Sequence, residues 1–297
     1  VWPGYLADPF VLKTDDGYVA VGTAPGADGP GRFAAVASDD LASWRPLASP
    51  LQALPARFGD EYWAPEIAYR DGRWWMYYSV GHGIDGHHLR VAAADRPEGP
   101  YRDCGVDLTP GELFAIDPHP FHDADGSWYL FFAHDVLDAE RPGTHLALTA
   151  LPTPTAADAA AVPVLAPSHD RQIYKRSRRM YASEYDWHTL EGPFVVQRHG
   201  RYWMTFSAGA WTGPGYGVSW AVADTPTGPW TAAPDDAPFL LESRPGELTG
   251  PGHNSVVTAP DGGDVLVFHA WDEGMTARRM HLAPVDFASD GPRLVGR

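Results

Sequence analysis

Three carboxylates occupy positions that a recurring pattern would bring together. Asp8 and Asp117 each open an Asp-Pro step followed by apolar residues, and Glu191 stands directly ahead of Gly192-Pro193, another step of the same kind. If the three share one pocket, like-charge repulsion is relieved only when one keeps its proton, and their pKa values are driven apart. An ionised carboxylate facing a protonated carboxylic acid is the equipment of general acid and base catalysis. His119, His253 and Trp63 flank the set. Asp-Pro and Glu-Gly-Pro are also ordinary turn starters, so recurrence rather than any one residue singles the acids out.

Five segments of the chain share that pattern, and their repetition predicts the elements that must position the acids. Each begins with a small or acidic residue, usually followed by Pro, and runs through apolar positions to a turn at Asp or Gly. An aromatic strand ending in Ser or Ala follows. The segments read Asp8-Pro9-Phe10-Val11 to Gly17-Tyr18, Ala64-Pro65-Glu66-Ile67 to Gly72-Arg73-Trp74-Trp75, and Asp117-Pro118-His119-Pro120 to Gly126-Ser127-Trp128-Tyr129. Gly192-Pro193-Phe194-Val195 to Gly200-Arg201-Tyr202-Trp203 and a degenerate copy, Asn254-Ser255-Val256-Val257 to Gly262-Gly263, complete the set. Each is a β-hairpin by turn chemistry. A second strand pair follows each, as in Leu89-Arg90-Val91-Ala92 and Tyr216-Gly217-Val218-Ser219-Trp220. The starts at 8, 64, 117, 192 and 254 consume the chain. Four strands recurring five times predict an all-β fold, a five-bladed β-propeller of four-stranded antiparallel blades around a central axial pocket, over 1–297 as one catalytic unit. Asp8, Ala64, Asp117, Gly192 and Asn254 are then equivalent positions on the innermost strands. A β-sandwich of similar strand count is the alternative.

Composition agrees and narrows the partners. The chain has 29 Pro and 31 Gly to punctuate short strands, and 12 Trp, 13 Tyr and 12 Phe to fill them. Only the Ala-rich stretch from Thr155 to Val162 invites a short helix, against a connecting loop. With 22 Lys+Arg against 38 Asp+Glu the net charge is −16, which argues against nucleic acid and against an anionic membrane surface. No apolar run is long enough to span a bilayer. The N-terminus, Val-Trp-Pro-Gly-Tyr, leaves a removed signal peptide and a cytoplasmic protein both open. A single cysteine, Cys104, excludes an intrachain disulfide framework. The basic run from His169 to Met180 falls in the longest interval between starts and reads as an insertion over the pocket or a subunit contact.

Five motifs in order carry a resemblance to glycoside hydrolase family 43: Asp8-Pro9-Phe10, Tyr62-Trp63-Ala64-Pro65-Glu66, Ala115-Ile116-Asp117-Pro118, Glu191-Gly192-Pro193 and Gly252-His253-Asn254-Ser255. The resemblance implies a propeller of inverting enzymes that cut arabinose- and xylose-containing glycans, with no cofactor required for the chemistry. It casts Asp8 as general base, Glu191 as general acid, and Asp117 as the carboxylate that raises the acid's pKa and orients it. Trp63 would line the sugar subsite, and one of Arg278 and Arg279 would contact substrate, strand register deciding which. His253 would lie on the axis, with a calcium or other small ion beside it or simply hydrogen-bonded. Phe33, Trp211 and His82 are weaker candidates for the pocket rim. The leading expectation is an exo-acting α-L-arabinofuranosidase on arabinan or arabinoxylan side chains, preferred because the chain reads as a bare catalytic unit. A β-xylosidase or endo-arabinanase of the same family is the near alternative. A sugar phosphorylase and a non-catalytic sugar-binding propeller are alternatives of other classes.

Overall fold

The computed structural model describes residues 1–24, 33–158, 160–237 and 239–296. Its strands form three four-stranded antiparallel sheets and one ten-stranded sheet, in which two further four-stranded antiparallel units are joined by a parallel pairing, so that five units follow one another along the chain. The first holds Ala7–Thr14, Gly17–Thr23, Phe33–Ser38 and Arg45–Pro46. The second holds Glu61–Arg70, Arg73–His82, Asp85–Ala94 and Arg102–Asp107, and the third Ala115–His122, Trp128–Val136, Gly143–Ala150 and Val162–Leu165. Ser183–Arg198, Arg201–Ala208, Gly217–Ala223 and Thr231–Ala232 form the fourth, and Thr249–Thr258, Asp264–Trp271, Arg278–Ala288 and Gly291–Leu294 the fifth. The first strands of successive units touch in cyclic order, and the fifth returns to the first. That closed ring is the expected β-propeller. Among the described residues the only helices are two three-residue 3₁₀ turns, and none is long and apolar enough to cross a membrane. The stretch from Thr155 is the loop alternative, leading into Val162–Leu165; Ala159 lies outside the described residues.

Turn chemistry sets the hairpins. Asp71-Gly72 and His199-Gly200 both place two consecutive residues at positive φ, the geometry that two-residue hairpins require. Aromatic side chains from the middle strands, among them Tyr78, Phe131, Trp203 and Phe268, are fully buried between blades. Each such burial contributes about 1.5–3 kcal/mol. The N-terminus closes the ring along the fifth blade: the Leu6 N–H donates to the Arg278 carbonyl at 3.0 Å, and the Val1 ammonium to that of Met280 at 3.1 Å.

The insertion between the third and fourth blades is a hairpin. Ile173–Met180 pairs antiparallel with the start of the long strand Ser183–Arg198, and a short parallel bridge of Gly143 and Thr144 with His188 and Thr189 ties it to the third blade.

Candidate active site

Each innermost strand carries a β-bulge at the same place. The registers shift between Ala7 and Phe10, Trp63 and Glu66, Ile116 and His119, Glu191 and Phe194, and Gly252 and Ser255. The bulged residues are Asp8, Ala64, Asp117, Gly192 and His253, with φ of 48°, 48°, 59°, 58° and 45°. In four of them the next residue is Pro, which has no N–H to lose from the ladder. The fifth blade is thus offset by one from its expected start: His253, not Asn254, is the equivalent of Asp8. Left-handed backbone at four non-glycine residues costs of order 1 kcal/mol each and is compatible with a functional site.

A ring of hydrogen bonds between blades holds these bulges. The second-strand residue opposite each bulge accepts the N–H of the next blade's bulged residue: Thr23 from Ala64 at 2.9 Å, Ser79 from Asp117 at 3.1 Å, Ser207 from His253 at 2.6 Å, and His269 Nδ1 from Asp8 at 3.0 Å. The third blade breaks the rule. Its residue there is Ala133, paired with Ile116, and offers no acceptor. The Gly192 N–H donates instead to Asp117 Oδ2 at 2.9 Å. Ala133 thereby frees a backbone donor that favours the charged form of a buried carboxylate. Ala133→Ser restores an acceptor for Gly192, and kcat should fall about tenfold with the thermal midpoint little changed, since one hydrogen bond to a charged group is worth roughly 1.5–3 kcal/mol. An unchanged kcat would show that the Gly192 contact is incidental.

Asp8, Asp117, Glu191 and His253 all line one cavity of about 330 Å³, walled by Trp63, Ile84, Tyr174 and Trp211. Asp8 and Asp117 are buried and Glu191 is partly exposed, and the surroundings of the three differ. Burial opposes the charge of Asp8, yet Arg278 Nη1 at 3.2 Å, His253 and His269 more than offset it and hold its carboxyl well below the usual range. Burial pushes Asp117 well above that range, reinforced by the charges of Glu191 and Asp8 and opposed by the Gly192 N–H. Burial raises Glu191 to about 7, against the Tyr216 hydroxyl that donates to its Oε1 at 2.5 Å and with the Asp8 charge pushing the same way. The pocket therefore keeps Asp8 ionised and retains a proton on the Asp117–Glu191 pair into the neutral range. Tyr216 reaches Glu191 because Gly252 has no side chain; a Cβ there would overlap its ring.

His253 Nδ1 lies 3.5 Å from Asp8 and 3.7 Å from Asp117, bridging the two, and burial lowers its pKa against the opposing pull of the Asp8 charge. Among the described residues no group of three or more His, Cys, Asp or Glu side chains could hold a metal ion.

Of the two arginines, Arg278 enters the cavity, donating to the Tyr5 hydroxyl at 3.0 Å and lying 4.6 Å from the Trp211 ring centre. Arg279 points away, to the Pro3 carbonyl and Asp272, so its expected place at the substrate is corrected. Trp63 lines the cavity, backed by the His87 ring stacked at 3.6 Å. His119 leaves the set: it lies deeper, paired with buried Glu66 at 2.7 Å and accepting the Val195 N–H. Phe33 is core and His82 is exposed, whereas Trp211 does form the rim. Tyr5, Tyr216 and His269 belong to the site without any motif marking them.

The sequence profile of "Glycosyl hydrolases family 43" matches residues 1–292. The chain is 30% identical to the "Beta-D-galactofuranosidase xynD" of Aspergillus niger, an alignment covering 96% of this chain and 80% of that protein. It is 28% identical to an "Extracellular exo-alpha-(1->5)-L-arabinofuranosidase" of Streptomyces chartreusis over 89% of this chain and 79% of the relative. Among solved structures, a thermostable family-43 glycoside hydrolase superposes with a TM-score of 0.84 at 27% identity, covering 98% of this chain and 93% of the other.

Proposed function

The chain belongs to glycosyl hydrolases family 43, and from that premise we propose that it is an inverting, exo-acting α-L-arabinofuranosidase that trims arabinan or arabinoxylan. The observation that carries this reading is a pair of carboxylates lining one cavity in unlike surroundings, Asp8 beside the Arg278 guanidinium and Glu191 against the Tyr216 hydroxyl, which favours an ionised Asp8 facing a Glu191 that keeps its proton to a higher pH. Asp8 Oδ1 faces Arg278 and His253. The carboxylate takes a proton from water as that water's oxygen attacks the anomeric carbon. The bond from that carbon to the leaving oxygen breaks, and Glu191 gives its proton to that oxygen. Exchange with solvent restores both groups. Asp117 keeps the acid's proton in place by its proximity, and His253 bridges Asp8 and Asp117. Family 43 hydrolases need no cofactor for this chemistry, and a chelator should leave turnover unchanged.

A second reading has its own support. The relative named a β-D-galactofuranosidase covers nearly the whole chain, and β-D-galactofuranose shares the ring configuration of α-L-arabinofuranose, differing in the exocyclic arm. Incubation with nitrophenyl α-L-arabinofuranoside, β-D-galactofuranoside and β-D-xyloside, linear arabinan and branched arabinoxylan separates these. Monomeric arabinose released first as the inverted anomer is the expected product. Galactose selects the second reading, and xylose or long oligosaccharides overturn exo-arabinofuranosidase action.

A further inference from the structure

We infer that the hairpin inserted between the third and fourth blades builds a subsite for a neutral sugar as leaving group, with Arg178 as its hydrogen-bond donor. The inference rests on the glycosidase reading above and deepens it.

Glu191 lines two cavities. One is the cavity that also holds Asp8 and Asp117; the other, of about 80 Å³, contains neither. The two share the walls Trp63, Tyr174 and Trp211. The acid must face the leaving oxygen and the base must face the attacking water on the other side of the sugar. The compartment that touches the acid and not the base is therefore on the leaving-group side.

Arg178 lines this second compartment. The other arginines of the basic run are engaged at the surface: Arg171 with Glu242, Arg176 with Asp170 and Asp186, and Arg179 with Glu184. The Arg178 side chain makes no hydrogen bond or ion pair among the described residues. Its guanidinium is instead placed over two rings, 5.0 Å from the centre of Tyr174 and 5.1 Å from that of Trp187. Asp135, whose charge the Arg178 charge favours, is already occupied, accepting from the Tyr181 hydroxyl at 2.8 Å and the Thr144 hydroxyl at 2.9 Å. Tyr181 sits at the hairpin tip, so this contact also pins the hairpin to the third blade. A planar donor fork stacked in place with its hydrogens unused is pre-organised for a ligand. Asp135 and Glu191 in the same compartment, with the overall charge of −16, disfavour an anionic ligand. Adjacent hydroxyls of a neutral sugar suit the fork, and the aromatic walls suit its C–H faces.

The test compares wild type, Arg178→Ala and Arg178→Lys on two substrates with the same terminal sugar: the nitrophenyl glycoside and the oligosaccharide that wild type cleaves best. Arg178→Ala should lower kcat/KM on the oligosaccharide by about 10- to 100-fold. Turnover of the nitrophenyl glycoside should stay within about threefold, which also reports an intact fold, and Arg178→Lys should recover part of the loss. Equal losses on both substrates, or none on either, would overturn the subsite. A loss confined to oligosaccharides carrying a uronic acid would overturn the neutral-sugar assignment. Absence of wild-type turnover on every glycoside would instead overturn the functional reading and the subsite with it.

Discussion

Glu191→Gln should reduce cleavage of a sugar–sugar linkage by about 10²–10⁴-fold while leaving much of the turnover of a dinitrophenyl glycoside, because only the poor leaving group needs a proton as it departs. The geometry behind this is the Tyr216 hydroxyl on Glu191 Oε1, which leaves Oε2 without a hydrogen bond among the described residues. Burial raises the acid to about 7. The protonated form is the active one, so wild-type activity falls as the pH rises through about 7. On the acid side it persists until the pH reaches the depressed pKa of Asp8, which must stay ionised. A Gln side chain does not titrate, so the residual activity of the variant should lose the alkaline limb. Steady-state rates on both substrates between pH 4 and 9 check the claim, and unchanged turnover of the oligosaccharide would remove Glu191 from the role of acid.

Much of this site was readable from the residues because the propeller repeats one device. The X-Pro steps mark the bulges, since Pro tolerates a break in the ladder, and four of the five bulged positions are legible from that pair alone. His253 was displaced by one because the fifth blade has Asn254 where the others have Pro. The Ser or Ala that ends each aromatic strand was visible as a residue type; its purpose is a contact. Ser79 and Ser207 accept a neighbour's N–H, and Ala133 leaves one unclaimed. Arg278 and Arg279 differ by one register step, and pairing of Arg278 with Trp271 places it in the cavity, which no local pattern fixes. Tyr216 acts through space left by Gly252, and neither residue carries a periodic signal. Sequence spacing exposes what recurs along the chain, whereas contacts between blades depend on their packing.

Asp8→Asn should cost about 10²–10⁴-fold on every substrate, the nitrophenyl and dinitrophenyl glycosides included, because water must be deprotonated whichever group leaves. That indifference to the leaving group separates a lost base from a lost acid. A second consequence follows from charge. Asp8 is one of the groups that raises Glu191, so removing its charge should lower the acid's pKa and move the alkaline limb of any residual activity below pH 7. Arg278 meanwhile loses the carboxylate at 3.2 Å while remaining largely buried, with the Tyr5 hydroxyl as its remaining hydrogen-bond partner. An unpaired buried cation is costly, so the thermal midpoint should fall, although relief of repulsion between Asp8 and the Asp117–Glu191 pair opposes this. The catalytic loss should therefore far exceed the loss of stability. A variant that retained full turnover of the aryl substrates would place the water-activating base elsewhere. A loss that tracked leaving-group acidity would instead make Asp8 part of the acid's machinery, since only a step common to all substrates can depend on the base.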